Sequence, residues 1–302
     1  MAKARIAVIG AGLMGHGLAQ VFALAGHDVA IFDSVAASLA TARQRILANL
    51  KDLGDDLSAV ERVRPVGDLA EAVRDADYVV EAAPEDLPLK QRLFADIERA
   101  VSDDTILASN TSVIPITQIM GSLKKRERAL GTHWWNPPYL VPLVEVIATQ
   151  WTSPATVEWT IALHKDAGKT PVHVKKDVPG FVGNRLQHAL WRECIALVAN
   201  GICDAETVDT VIKASFGRRL AVLGPLENAD LVGTDLTLAI HKTVLPDIDR
   251  TPGPSPYLEK LVADGKLGMK SGEGFRKWTP EAQAALRSRV LQHLKRARAS
   301  EA

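Results

Sequence analysis

Two cysteines, Cys194 and Cys203, in 302 residues are too few for a disulfide framework and lack the spacing of a metal knuckle. A reducing, cytoplasmic setting without a protein-bound metal is therefore expected. The chain also lacks an excess of either charge, with Lys and Arg matching Asp and Glu at 36 each. It thus has no electrostatic footprint for nucleic acid or an anionic membrane. No apolar stretch is long enough to span a bilayer. The start, "MAKARIAVIGAGLMG", mimics a secretory signal in its basic residues and apolar run. It is glycine-rich, however, and soon meets His16, Gln20 and Asp28, and no small-residue cleavage pattern follows. What remains is a globular composition, 47% apolar and 24% charged, on a chain long enough for one large domain or two ordinary ones.

Short β-branched runs alternate with longer amphipathic stretches in the first half. Strands are predicted at 5–9, 28–32, 78–82, 105–109, 128–134, 143–147 and 171–175. Such alternation predicts a mainly parallel sheet covered by helices on both faces. After "KKDVPG" almost only helical patterns follow, with Gly201 and Gly217 as stops and Asp204 and Thr279 as N-caps. The expected fold is α/β: a Rossmann-type domain over 1–178, then an all-α domain over 179–302. The basic final helix reads as a solvated face.

"IAVIGAGLMGHG" places Gly10, Gly12 and Gly15 directly after a strand and at the opening of a helix. The first glycine suits a tight turn, the second lets backbone approach a pyrophosphate, and the third lets helix and strand pack closely. Leu13 and Met14 belong to the same loop. Asp33 ends the second strand, where a carboxylate can accept hydrogen bonds from an adenosine ribose and would repel a 2′-phosphate. The pattern predicts NAD rather than NADP.

Hydride transfer needs a base to remove the hydroxyl proton as hydride leaves carbon. "THWWNPPYLVPLVEV" offers His133 at one strand end and Glu145 in the next strand, joined by a proline-rich turn. A charged Glu145 inside an apolar strand is costly unless paired. Paired, it would fix the tautomer of His133 and stabilise the imidazolium.

"GAGLMG", "VVEAAPEDLPLK", "SNTS", "HWWNPPYLVPLVEV", "DVPGFVGNRL", "GPLENAD" and "KLGMKSGEGF" occur in this order from residue 10 to 275. The series resembles the 3-hydroxyacyl-CoA dehydrogenase family. The resemblance implies an NAD-dependent oxidoreductase acting on CH–OH groups, with a helical second domain that commonly forms a homodimer interface. It implies His133 as base, Glu145 as its partner, Ser112 as hydrogen-bond donor to the substrate oxygen, and Asn184 as the residue closing the site. Ala83, Glu85, Lys90 and Asn110 would line the nicotinamide half of the cofactor.

Departures from the family bear on substrate. The stretch "RILANLKDLGDDLSAVERV" is short and carries Asp52, Asp55 and Asp56, which are expected to repel CoA phosphates. "HxxNPPYxxPLVE" resembles the L-gulonate 3-dehydrogenase and lambda-crystallin branch, and "KKDVPGFVxNR" the branch oxidising a pyridine carboxylate. Arg218 and Arg219 precede a Gly-Pro turn and suit bidentate capture of a free carboxylate; Trp135 would narrow the pocket. A small free hydroxy acid, oxidised at its 3-hydroxy group, is thus the expected substrate. The alternatives are a 3-hydroxyacyl-CoA, an aromatic-acid alcohol or aldehyde, and a crystallin-like protein that binds NAD without turnover.

Overall fold

The computed structural model describes residues 2–301, with side chains described through residue 300. The chain divides into two compact units, Met1–Arg185 together with Gln292–Ala302, and Leu186–Leu291. From Gln292 onward the chain belongs with the first unit again.

The first unit is built on one sheet of eight strands. They are β1 Arg5–Ile9, β2 Asp28–Phe32, β3 Val63–Val66, β4 Tyr78–Glu81, β5 Ile106–Ser109, β6 Ala129–Trp134, β7 Leu143–Ile147 and β8 Thr170–Val174. Their spatial order is β3-β2-β1-β4-β5-β6-β7-β8, and every neighbour pair is parallel except β6 and β7. Its helices are α1 Gly15–Leu24, α2 Ala36–Leu53, α3 Leu69–Val73, α4 Leu87–Ala100, α5 Ile116–Met120 and α6 Pro154–Asp166.

Side chains alternate across each strand, so one apolar run feeds two cores. Ile6 and Val8 of β1 join one buried cluster with Leu18 and Phe22 of α1 and Ile46 of α2. Ala7 and Ile9 face the opposite cluster with Phe94 of α4 and Ile116 of α5. β3 is absent from the predicted strands, because "VRPV" carries an arginine and a proline in place of an apolar run. Both are tolerated since β3 is an edge strand and Arg64 and Pro65 are exposed.

The second unit contains α7 Gly183–Ala199 from Leu186 onward, α8 Ala205–Ala214, α9 Pro225–Val232, α10 Thr234–Val244, α11 Pro256–Ala263 and the first part of α12 Pro280–Glu301. Asp204 caps α8 by accepting from the Thr207 amide at 2.7 Å. The end of α12 is not a solvated face. Lys295 pairs with Asp52 at 2.7 Å and Arg298 grips Asp55 with both guanidinium nitrogens, at 2.8 and 2.9 Å. Those contacts tie the tail to α2 and the turn after it. No helix of the described residues is long and apolar enough to cross a membrane.

Candidate active site

Chemistry in a parallel sheet gathers at the carboxyl ends of its strands, and there β1, β4, β5 and β6 deliver the glycine loop, Glu81, Ser109 and His133. Gly10 adopts φ +104°, and a Cβ there would lie 2.6 Å from the Ala82 carbonyl oxygen. A Cβ on Gly15 would fall on the Gly10 carbonyl, whereas none of the protein approaches within 4 Å of that position at Gly12. The space over Gly12 and the first turn of α1, which has no side-chain cap, fit a pyrophosphate bound by free amides.

Asp33 accepts from the Ala11 amide at 2.7 Å and the Val35 amide at 2.8 Å. Its remaining lone pairs are left for ribose hydroxyls. Leu13 projects outward at 69% exposure, and Met14 packs against the core. Arg45, a residue of α2 with no role in the sequence pattern, donates to the carbonyls of Ala11 at 2.6 Å, Gly12 at 3.2 Å and Ser38 at 2.8 Å. It fixes the loop from behind. His16 joins it, with Nδ1 at 2.7 Å from the Gly12 carbonyl; burial lowers its pKa, against the Gly12 hydrogen bond and with a smaller push from the Arg45 charge.

His133 and Glu145 stand directly opposite each other in the antiparallel β6–β7 register. Directly opposed side chains share a face at close range, and here Nδ1 lies 2.8 Å from Glu145 Oε2. The two side chains are 4% and 1% exposed. The other carboxylate oxygen, Oε1, accepts from the amides of Val182 at 2.8 Å and Gly183 at 3.0 Å. Burial alone would push the Glu145 carboxyl up. The His133 hydrogen bond and the two amides outweigh it and hold Glu145 below the ordinary carboxylate range.

Ser112 and Asn184 are brought together, with the Asn184 amide donating to the Ser112 carbonyl at 2.8 Å. The Ser112 amide donates to Glu85 Oε1 at 3.0 Å, as Val113 does at 3.2 Å. Thr111 donates its hydroxyl to the same oxygen. Burial raises the Glu85 pKa, but Thr111, Lys90 and these amides reverse it to a net lowering. Lys90 does not stand open to a ligand. Its ammonium is 1% exposed, 2.6 Å from Glu81 Oε1, 3.2 Å from the Ala83 carbonyl and 3.4 Å from Glu85 Oε2. Glu81, also buried, accepts further from Ser109 and the Ala83 amide, each at 2.6 Å. Asn110 accepts from the Trp134 amide at 2.9 Å and so braces the end of β6.

Trp135 and Phe181 flank the imidazole, with ring centroids 5.3 and 5.6 Å away. The indole edge lies against Gly183, where a Cβ would be 2.5 Å from Cζ2. Arg218 and Arg219 belong to the other unit. Both are exposed, and neither side chain has a hydrogen bond or ion pair among the described residues. Sequence patterns missed Arg45, Glu81 and Phe181. Of these only Glu81, an acid inside the apolar run of β4, carried a signal of the kind that marked Glu145.

The acids at the end of α2 require a correction. Asp52 and Asp55 are neutralised by Lys295 and Arg298, and Asp56 accepts from the amide and hydroxyl of Ser58 at 2.9 and 2.8 Å. Of the three acids expected to repel CoA, only Asp56 stands without a cationic partner among the described residues.

Comparison with known proteins agrees with the fold and the glycine loop. The NAD-binding domain model of 3-hydroxyacyl-CoA dehydrogenase matches residues 5–178, and its C-terminal domain model matches 180–278. A 5-formyl-3-hydroxy-2-methylpyridine 4-carboxylate 5-dehydrogenase of Mesorhizobium japonicum is 38% identical over 288 residues, covering 94% of this chain and 93% of its own. Human mitochondrial hydroxyacyl-coenzyme A dehydrogenase is 38% identical over 288 residues, 90% of each chain. A solved structure of the pyridine-carboxylate 5-dehydrogenase, described as an NAD+-dependent dismutase, superposes with a TM-score of 0.91 at 36% identity, over 98% of this chain and 97% of that one. The chain belongs to the 3-hydroxyacyl-CoA dehydrogenase family and is an NAD-dependent oxidoreductase.

Proposed function

We propose that the protein oxidises a hydroxyl-bearing carbon of a small free carboxylic acid, with His133 as base and Glu145 as the group that orients and charges it. The observation that carries this reading is the buried pair of His133 Nδ1 and Glu145 Oε2 at 2.8 Å, on the side of the sheet where the glycine loop would hold NAD. With Nδ1–H donated to Glu145, Nε2 is left to accept the substrate proton. NAD supplies the hydride acceptor. The Ser112 hydroxyl holds the reacting oxygen, and Asn184 braces the Ser112 loop through its carbonyl. Glu85, fixed by Lys90, orders the same loop from below. The alcohol can be a 3-hydroxy group or the hydrate of an aldehyde, since both offer an O–H to the base. Full-length similarity to an enzyme named for a pyridine carboxylate supports a free acid as substrate.

A second reading, a 3-hydroxyacyl-CoA thioester, is favoured by one observation: Lys295 and Arg298 cancel the charges of Asp52 and Asp55. NADH formation decides between them, measured with 3-hydroxybutyryl-CoA against free 3-hydroxybutyrate, L-gulonate and a pyridine-carboxylate alcohol. A higher kcat/KM for the thioester overturns the free-acid reading. In either case His133→Gln is expected to lower kcat by about 10²–10⁴-fold while NADH still binds; near-normal turnover removes His133 as base.

We further propose a homodimer through the helical unit. Between Leu186 and Leu291 only Val208 and Leu261 are buried, and α9 and α10 bury none of their residues. Val222 and Leu226 stand at 87% and 81% exposure. A unit of about 100 residues needs a core, and a second copy of the same apolar surface supplies it. Sedimentation equilibrium is expected to give twice the chain mass; a monomer at micromolar concentration rejects the proposal.

A further inference from the structure

The chain enters α7 through a turn that no helix requires. Gly180 and Phe181 both have positive φ, +72° and +50°, and Phe181 is the one non-glycine among the described residues to do so. A bulky residue in the left-handed region is an outlier whose presence points to a local demand. Phe181 is 1% exposed, within the cluster that holds Ile116 and Ile147, and its ring lies 5.6 Å from that of His133. The turn is tight: the Phe181 amide donates to the Val178 carbonyl at 3.0 Å, and Arg185 N reaches the Gly180 carbonyl at 3.3 Å.

We propose that the left-handed turn at Phe181 is a positioning element for the His133–Glu145 pair, aiming the Val182 and Gly183 amides at Glu145 Oε1 so that Oε2 stays on the imidazole. The proposal rests on the reading of His133 as base. Its geometry is specific. The two amides reach the carboxylate at 2.8 and 3.0 Å only because the chain reverses at 180–181. Amides at the start of a helix have no partner within it, and negative charge is favoured there. Gly183 must lack a side chain, since a Cβ would strike Trp135 at 2.5 Å and stand 3.4 Å from Glu145 Oε2. Phe181, rather than the glycine its backbone favours, supplies the wall that keeps the imidazole from tilting away.

The groups facing Glu145 are few. β6 brings His133, β8 brings the uncharged Val172 in register, and the start of α7 brings Val182 and Gly183. The titratable neighbour is therefore His133, and loss of the amide contacts acts on it. A carboxylate released from the two amides is free to turn, and Oε2 then no longer fixes the tautomer and direction of the imidazole.

The test compares Phe181→Val with Phe181→Gly. Valine resists the left-handed conformation, whereas glycine keeps it and loses only the ring. For Phe181→Val the expected result is a kcat lower by about 10–100-fold, an NAD KM within about twofold of wild type, since the glycine loop is untouched, and loss of the low-field proton resonance of the Nδ1–H that His133 donates to Glu145. For Phe181→Gly that resonance stays while kcat falls less. A simple loss of folded protein would lower every resonance together with activity. The proposal is overturned if Phe181→Val keeps the resonance, or if both variants lose it equally. Should Phe181→Val fail to bind NADH, Phe181→Ala replaces it with the same expectations. His133→Gln separates the two readings. If it remains active, the base assignment fails; if it is inactive while Phe181→Val keeps the low-field resonance, the turn alone loses its role.

Discussion

Replacing Lys90 with methionine tests whether the loop after β4 rests on a buried ion pair. Lys90 and Glu81 are 1% and 0% exposed and 2.6 Å apart. The substitution keeps the apolar stem and removes the charge, leaving Glu81 with Ser109 and the Ala83 amide. Breaking one side of such a pair costs about 3–5 kcal/mol, because the surviving charge is stranded away from water. Burial already raises the Glu81 pKa against the opposition of Lys90, and loss of the lysine raises it further. A carboxyl whose folded pKa exceeds the unfolded one keeps a proton that the unfolded chain has released. Stability of the variant therefore rises as pH falls below that folded pKa, by at most about 1.4 kcal/mol per pH unit, until the unfolded value near 4.3 is approached. Denaturant titrations at pH 8 and 5.5 measure this, followed by tryptophan emission; Trp134, Trp135, Trp151 and Trp159 all report on the first unit. The double substitution Lys90→Met with Glu81→Gln is expected to recover most of the pH 8 deficit. A deficit below about 1 kcal/mol, or one equal at both pH values, refutes the account, since Glu81 would then be neutral in the native protein.

Arg45→Met is expected to weaken NADH binding about tenfold, equal to the roughly 1.4 kcal/mol of lost loop bracing, with kcat changed less than about twofold; fluorescence titration and steady-state kinetics measure the two. His164 is buried, and that burial pushes its pKa down to about 4. A histidine whose folded pKa is depressed stabilises nothing when charged, so stability is lost as pH falls from about 6.5 to 4, by about 3 kcal/mol. His164→Leu should flatten that part of the stability–pH curve, and an unchanged slope assigns the acid lability elsewhere. Gly17→Ala places a Cβ 2.5 Å from Pro138 Cγ and is expected to cost about 1–3 kcal/mol in a denaturant titration; a neutral result means the hairpin turn gives way.

β1, β4, β5, β6 and β7 were legible because burial demands apolar, β-branched runs, and the more exposed β2 and edge strand β8 because they keep alternating β-branched residues. β3 was not, since an edge strand can carry Arg64 and Pro65 without loss. Glu145 was legible for the complementary reason: an acid within "LVEVI" needs a partner, and a histidine at the end of the preceding strand was available. Glu81 makes the same demand within "YVVE", yet its partner, Lys90, arrives from the following helix and from a stretch that resembles any amphipathic surface. Arg45 is hidden likewise. Its helix predicts an outward face, and only the fold shows that this face looks onto the carbonyls of the glycine loop. Phe181 could not be found at all, because a positive φ at a non-glycine residue leaves no mark on composition or period.

The acidic stretch and the basic tail were both misjudged, and for one reason. Asp55 and Arg298 are 243 positions apart, so each looked like an unopposed charge. In the fold they meet at 2.8 Å, and a paired charge projects little field beyond its partner. Repulsion of CoA phosphates by Asp52 and Asp55 therefore loses its basis, and only Asp56, held by Ser58, keeps an unopposed charge in that stretch. Preference for a small free acid, as proposed, then rests on full-length similarity to the pyridine-carboxylate enzyme rather than on charge, and the ratio of kcat/KM for 3-hydroxybutyryl-CoA and a free hydroxy acid measures it directly.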